Sequence, residues 1–176
     1  QVWIYTSHDL RSWTQTDTVD STDADFGVWE TPELFELVAD DGTAHWVLTI
    51  GASQGSPAGG SGVRALLGRF DGRRFTRDGG DFWVDHGSDF YAPQSWNGAP
   101  DDRRIWIGWM GNWLNVTDIL ATTWRGQMSV PRELSLQSVG TSYRLKQTPV
   151  PELAGARSET QAESQVPLDP GGAHAA

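Results

Sequence analysis

The sequence predicts an all-β fold and, within it, a partial β-propeller with about three blades present. Three observations carry this. Helical periodicity is nearly absent, while short β-branched and aromatic runs recur between Gly, Asp and Asn clusters. Several of those runs repeat at a spacing of about sixty residues, the length of one four-stranded blade. The 176 residues can bury one core, yet about three such units are too few to close a ring.

Taken in order, Val2-Trp3-Ile4-Tyr5-Thr6 reads as a strand with no cap or lead before it, so the chain is expected to be part of something longer. Tyr5 to Thr14 lines up with Leu67 to Thr76: Asp, Arg, an aromatic and Thr match in order, Asp71 lying 62 positions after Asp9. Each copy is a strand, a polar turn and an aromatic that opens the return strand. Trp46 to Gly51 lines up with Trp106 to Gly111, and Pro32-Glu33-Leu34-Phe35 with Pro93-Gln94-Ser95-Trp96. Trp46 to Ile50, Arg104 to Trp109 and Glu133 to Gln137 are the clearest strands. The Gly-rich stretch Ser53 to Gly62 reads as a flexible loop; it lacks the Lys-Ser/Thr and following helix of a phosphate loop. From Pro149 the composition turns to Pro, Ser, Glu, Gln, Gly and Ala. Residues 1–150 are therefore expected to be propeller, and 151–176 a linker or the start of a further region.

Composition narrows the function. A net charge of -10 argues against nucleic acid or an anionic membrane as partner. No apolar run approaches the length of a membrane span, and the first residues are not a signal segment. With no cysteine there is no disulfide framework and no cysteine nucleophile or zinc ligand. Neither metal nor other cofactor is expected. His8, His45, His86 and His174 lack ligand spacing and read as structural, and the run Asp20, Asp23, Asp25 lacks the ligand alternation of a calcium loop. No Gly-x-Ser-x-Gly elbow offers a serine nucleophile. Ten Trp, against six Phe and three Tyr, suit a protein that presents flat indole faces to sugar rings.

Glu30 is the candidate catalytic residue. It follows Trp29 and precedes Thr31-Pro32 among apolar neighbours, a setting that disfavours the charged carboxylate and suits a general acid near neutral pH. The repeat places Glu30 just before one inner strand and Asp89-Phe90-Tyr91 just before the next, with Asp85 in the same approach. Glu30, Asp85, Asp89 and Tyr91 are thus expected around one funnel, ringed by Trp29, Trp96, Trp109 and Trp113. Carboxylates there could do acid–base work at a glycosidic oxygen while indoles stack on the sugar.

Four blocks carry a family resemblance. Trp29-Glu30-Thr31-Pro32-Glu33-Leu34-Phe35 resembles the Glu-Cys-Pro-Asp-Leu-Phe motif of glycoside hydrolase family 32, the invertases, inulinases, levanases and related fructosyltransferases. Asp89 to Trp96, Ile107 to Trp113, and Trp124 to Leu134 resemble three more of its blocks, in the same order. The resemblance implies a five-bladed propeller followed by a β-sandwich, and retaining cleavage of β-fructosidic bonds in levan, inulin or sucrose. It implies Glu30 as general acid/base, with Asp85 hydrogen-bonding near it, Tyr91 lining the pocket, and Trp29, Trp109 and Trp113 near the sugar. Two departures stand out. Thr31 replaces the usual Cys, and neither the Asn-Asp-Pro-x-Gly block of the family's nucleophile nor its Arg-Asp-Pro block occurs. The chain alone is therefore expected to be inactive, its remaining partner being the N-terminal blades of the same protein. A fructose-containing saccharide is the expected ligand and secretion the expected location. A non-catalytic fructan-binding module and a fructosyltransferase remain the alternatives.

Overall fold

Ten strands build two four-stranded antiparallel sheets and one hairpin in the computed structural model, which describes residues 1–20, 26–118 and 123–158. β1 (Val2–Thr6) and β2 (Thr14–Val19) form the hairpin. β3 (Trp29–Val38), β4 (Ala44–Ala52), β5 (Gly62–Phe70) and β6 (Phe75–Trp83) run consecutively across the first sheet. β7 (Tyr91–Ser95), β8 (Arg104–Trp109), β9 (Arg132–Val139) and β10 (Ser142–Pro149) do the same across the second. Each four-stranded meander is one blade, and the chain is a partial β-propeller. Among the described residues these are two complete blades and the outer hairpin of another. Asp23 and Asp25, and the tail from 159 onward with His174, lie outside the described residues. Pro151–Ala156, where a linker was expected, forms a short 3-10 turn.

The hairpins repeat down to their turn chemistry. Asp9 Oδ1 accepts from the backbone N–H groups of Arg11 and Ser12 at 2.8 Å each. Asp71 Oδ1 accepts from those of Arg73 and Arg74 at 2.8 and 2.7 Å. In both Asx turns the residue after the Asp, Leu10 and Gly72, takes positive φ, +58° and +89°. The same N–H donors, from Ser12 and then Arg11, pull the Asp9 carboxyl down to about 2. Those of Arg74 and Arg73 lower Asp71 in the same direction. The β1–β2 hairpin is thus the counterpart of β5–β6, one blade earlier. It docks on that blade through Thr16 Oγ1 donating to the Arg73 carbonyl at 2.7 Å and Asp17 accepting from Phe75 N–H at 2.8 Å.

Burial follows from stacking sheet on sheet. β4 and β5 are buried along most of their length on both faces, because the hairpin covers one side and the second blade the other. One core cluster, with Val19, Leu48, Ile50, Leu66 and Phe75, fills the gap under the hairpin. The other joins the two blades and centres on Phe35, Val47, Ala65, Phe90, Trp106 and Leu134. At the far end the blades are stitched by a parallel bridge between Ala39 and Leu136 and by Asp40 Oδ1 accepting from Ser138 N–H at 2.8 Å.

Trp106 is fully buried against Phe90, ring centroids 5.5 Å apart. Trp106→Ala leaves a large cavity between the blades and is expected to cost about 3–5 kcal/mol of unfolding free energy. Denaturant titration of the two proteins measures it; a loss below about 1 kcal/mol contradicts this packing.

Candidate active site

The inner strands of the two blades share an irregularity that sets the site. On β3, Glu30 pairs with Gly51 and the next paired residue is Glu33 with Thr49. On β7, Tyr91 pairs with Trp109 and then Gln94 with Ile107. In each case two residues oppose one, a β-bulge, and bulges re-aim the side chains beside them. The first bulged residues, Thr31 and Ala92, both sit at positive φ, +46° and +47°. A β-branched residue there is strained by about 1–3 kcal/mol. Pro32 and Pro93 follow, lacking the N–H that a bulge leaves unpaired. The Thr31-Pro32 step is this bulge, and Glu30 lies within β3 rather than just before it. Tyr91, not Asp89, is its structural counterpart in the next blade.

The bulges bring those counterparts together. Tyr91 Oη donates to Glu30 Oε2 at 2.7 Å across the junction between blades. Oε1 of Glu30 accepts no hydrogen bond among the described residues. Tyr91 is 2% exposed. Burial, then the hydrogen bond and the charge of Glu30, push its phenol far above the ordinary range, so it stays a donor. Its path to Glu30 runs over Gly51, where an added Cβ would lie 3.0 Å from the phenol carbon and oxygen. Trp109 meets the Tyr91 ring edge-on, centroids 6.5 Å apart, and Trp113 meets Trp109 at 5.5 Å. Trp113 is 52% exposed, leaving an indole face open beside the carboxylate.

The remaining expected residues lie as follows. Asp85 hydrogen-bonds with Arg132, whose Nη1 donates at 2.7 Å, and with Gly87 N–H at 2.8 Å, and not with Glu30. Burial pushes its carboxyl up, but the Arg132 and Gly87 hydrogen bonds and the Arg132 charge outweigh this and hold it below the usual carboxylate range. Trp29, adjacent to Glu30 and so on the opposite face of β3, packs against the core under the hairpin. Trp96 lies beyond the other end of β7 from Tyr91, where it lines a surface pocket with Pro100 and Val150. Asp89 is exposed.

Sequence reading missed three contributors. Arg132 holds Asp85 and lies over the Phe90 ring at 4.1 Å. Glu33 ties the inner strands together by accepting from Ser95 N–H at 3.1 Å and from its hydroxyl. Asn112, 1% exposed, is a clamp. Its Oδ1 accepts from Ser61 N–H and Leu114 N–H at 3.0 and 2.9 Å; its Nδ2 donates to the carbonyls of Gly59 and Ser88 at 3.0 and 2.8 Å. The stretch Ser53 to Gly62, expected to be flexible, is thereby fixed beside Trp113, whose N–H donates to Ser61 Oγ at 3.0 Å. The Pro131-Arg132-Glu133 block was visible in sequence; which acid its Arg meets was not.

Among the described residues no group of three or more His, Asp or Glu converges as a metal site. The arrangement instead offers one carboxylate oriented by a permanent donor, a second carboxylate held by a guanidinium, and an exposed indole wall.

Comparison with known proteins gives consistent matches. The model for the glycosyl hydrolases family 32 N-terminal domain matches residues 1–149. A levanase of Bacillus subtilis is 37% identical over 97% of this chain and 26% of its own length. An extracellular exo-inulinase of Aspergillus niger is 38% identical over 83% of this chain and 29% of its own. Among solved structures, an exo-inulinase of Aspergillus awamori superposes with a TM-score of 0.77 at 36% identity, over 84% of this chain and 31% of that one. A fructofuranosidase of Schwanniomyces occidentalis complexed with fructosylnystose gives 0.76 at 29% identity, over 84% and 30%. The chain therefore spans between a quarter and a third of the length of these relatives.

The Asp85–Arg132 pair carries a pH signature. A depressed folded pKa means the pair stabilises the fold fully above the ordinary carboxyl value near 4 and progressively less as pH falls through the lower folded value. Asp85→Asn is expected to lose about 1 kcal/mol at neutral pH, a modest figure because the pair is partly solvated. The gap from wild type should close below pH about 4. Urea unfolding at pH 7 and pH 3 reads this; an equal gap at both contradicts the pair.

Proposed function

The chain belongs to glycosyl hydrolase family 32, and on that premise we propose that it carries the acid/base side of a site that cleaves β-fructosidic bonds with retention. The observation behind this is the 2.7 Å hydrogen bond from Tyr91 to Glu30 beside an open indole face. Glu30 is the general acid/base. With Tyr91 donating to Oε2, the transferable proton sits on Oε1, which accepts no hydrogen bond among the described residues. That proton passes to the leaving glycosidic oxygen, and the resulting carboxylate later takes a proton from the attacking water. Trp109 and Trp113 form the wall that stacks on the fructosyl ring. Asp85, kept ionised by Arg132, accepts sugar hydroxyls, and Trp29 supports Glu30 from the core side.

Retention needs a nucleophilic carboxylate about 5–5.5 Å from the acid/base. These 176 residues contain neither the Asn-Asp-Pro-x-Gly nor the Arg-Asp-Pro block, so we assign no turnover to this chain by itself. Blades carrying those blocks in the same protein would supply the nucleophile. Residues 1–150 belong to the catalytic propeller and 151–176 lead toward a further domain. The substrate is a fructan such as levan or inulin, or sucrose, and the protein is secreted, as suits polymers too large to enter a cell. The exposed indole of Trp113 also fits a second reading, fructan binding without cleavage.

In the intact protein, Glu30→Gln is expected to lower kcat on levan, inulin and sucrose by about 100-fold or more, with KM little changed. Turnover equal to wild type would sink the acid/base assignment. Sugar binding with no turnover even in the wild type would establish the second reading. Tyr91→Phe removes a hydrogen bond to a charged group and is expected to cost about tenfold or more in kcat. Fluorescence-monitored folding must stay intact for that result to count.

A further inference from the structure

We propose that Glu33 is a positioning residue for Glu30: it locks the bulged inner strands of the two blades against each other and so sets where the Glu30 carboxylate stands. This role rests on the acid/base reading of Glu30. β3 and β7 are edge strands of their sheets, and an edge strand carries backbone N–H groups that no neighbouring strand pairs. Both oxygens of Glu33 accept from one of these, Ser95 N–H, at 3.1 Å each, and Oε1 also accepts from the Ser95 hydroxyl. Ser95 Oγ in turn accepts from Arg104 Nη1 at 3.1 Å, and the Arg104 guanidinium lies 5.1 Å from the centre of the Phe35 ring. Donation therefore runs one way, from Arg104 through Ser95 to Glu33, and ends on a charged acceptor, where hydrogen bonds are strongest.

The link falls where it can control the bulges. Glu33 pairs with Thr49 as the first residue to rejoin the ladder after Thr31 and Pro32. Ser95 follows Gln94, which rejoins the other ladder after Ala92 and Pro93. Glu30 and Tyr91 meet just before the two bulges, Glu33 and Ser95 just after them. Thr31 and Ala92, held at positive φ, thus lie between two links from blade to blade. With the second link open, either bulge can relax by sliding its strand, and Glu30 moves with it. The single bond to Tyr91 fixes a separation and leaves position along the strand to Glu33. Glu33 lies about 10 Å along β3 from Glu30, and its carboxylate is engaged by Ser95, so it acts through the backbone and not on the sugar. A displacement of about 1 Å at a reacting group can cost about a hundredfold in rate.

In the intact protein, Glu33→Gln keeps the side-chain shape but turns one acceptor into a donor facing Ser95. It should lower kcat/KM on sucrose about tenfold. On p-nitrophenyl β-fructofuranoside, whose leaving group departs without a proton, kcat/KM should change by less than about twofold. Glu33→Asp, which keeps the charge and both acceptors, should recover most of the sucrose value. Ser95→Ala, a smaller change that removes only the hydroxyl, should lower the sucrose value about threefold and spare the nitrophenyl substrate in the same way. A loss confined to sucrose in either variant supports the role. Equal losses on both substrates, or no loss in either variant, overturn it. Glu30→Gln decides the acid/base reading separately: unchanged sucrose turnover overturns that reading, whereas a loss there beside normal Glu33→Gln and Ser95→Ala proteins overturns only the role of Glu33.

Discussion

Two inner strands, one in each blade, bulge at the same point, and the rest of the site depends on that shared distortion. Without it Glu30 and Tyr91 would continue the regular alternation of a strand. The distortion is stored in Thr31 and Ala92, both in the left-handed region. It persists because what surrounds it is rigid: Pro32 and Pro93 cannot donate to the ladder, and Glu33 grips Ser95 on the next inner strand. Strain in the backbone is thus converted into side-chain placement.

The two carboxylates nearest the site sit in different fields. Glu30 meets a neutral phenol that burial and the carboxylate itself keep protonated. Asp85 meets a guanidinium. Like groups thus meet unlike partners, a neutral donor at one and a fixed positive charge at the other. Gly51 makes the first arrangement possible by leaving room for the Tyr91 ring, and Arg132, from the start of β9, makes the second.

Blade stacking also fixes what would otherwise be loose. The Gly-rich stretch between β4 and β5 has few apolar anchors of its own. Asn112, reaching from the next blade, satisfies its backbone with both ends of one amide and holds Trp113 in the same grip. A buried amide with all its partners met specifies a geometry as much as it stabilises one. The indole wall beside Glu30 is therefore a property of the junction between blades.

Sequence by itself determined the blade. Local turn chemistry repeats where Asp9 and Asp71 cap equivalent hairpins, and apolar runs such as Trp46 to Ile50 and Arg104 to Trp109 are strands, because both depend on neighbours in the chain. The bulge was visible only as a Thr-Pro step, since φ is not written in residue type. Glu30 stood out in sequence because its neighbours are local. Its bond with Tyr91 spans 61 residues, and Asp85 finds Arg132 across 47. Trp29 and Trp96 read the same as Trp109 and Trp113, yet strand alternation and position along the strand send the first two elsewhere. Only stacking one sheet on the next decides which side chains share a space, because that packing brings together groups the chain keeps far apart.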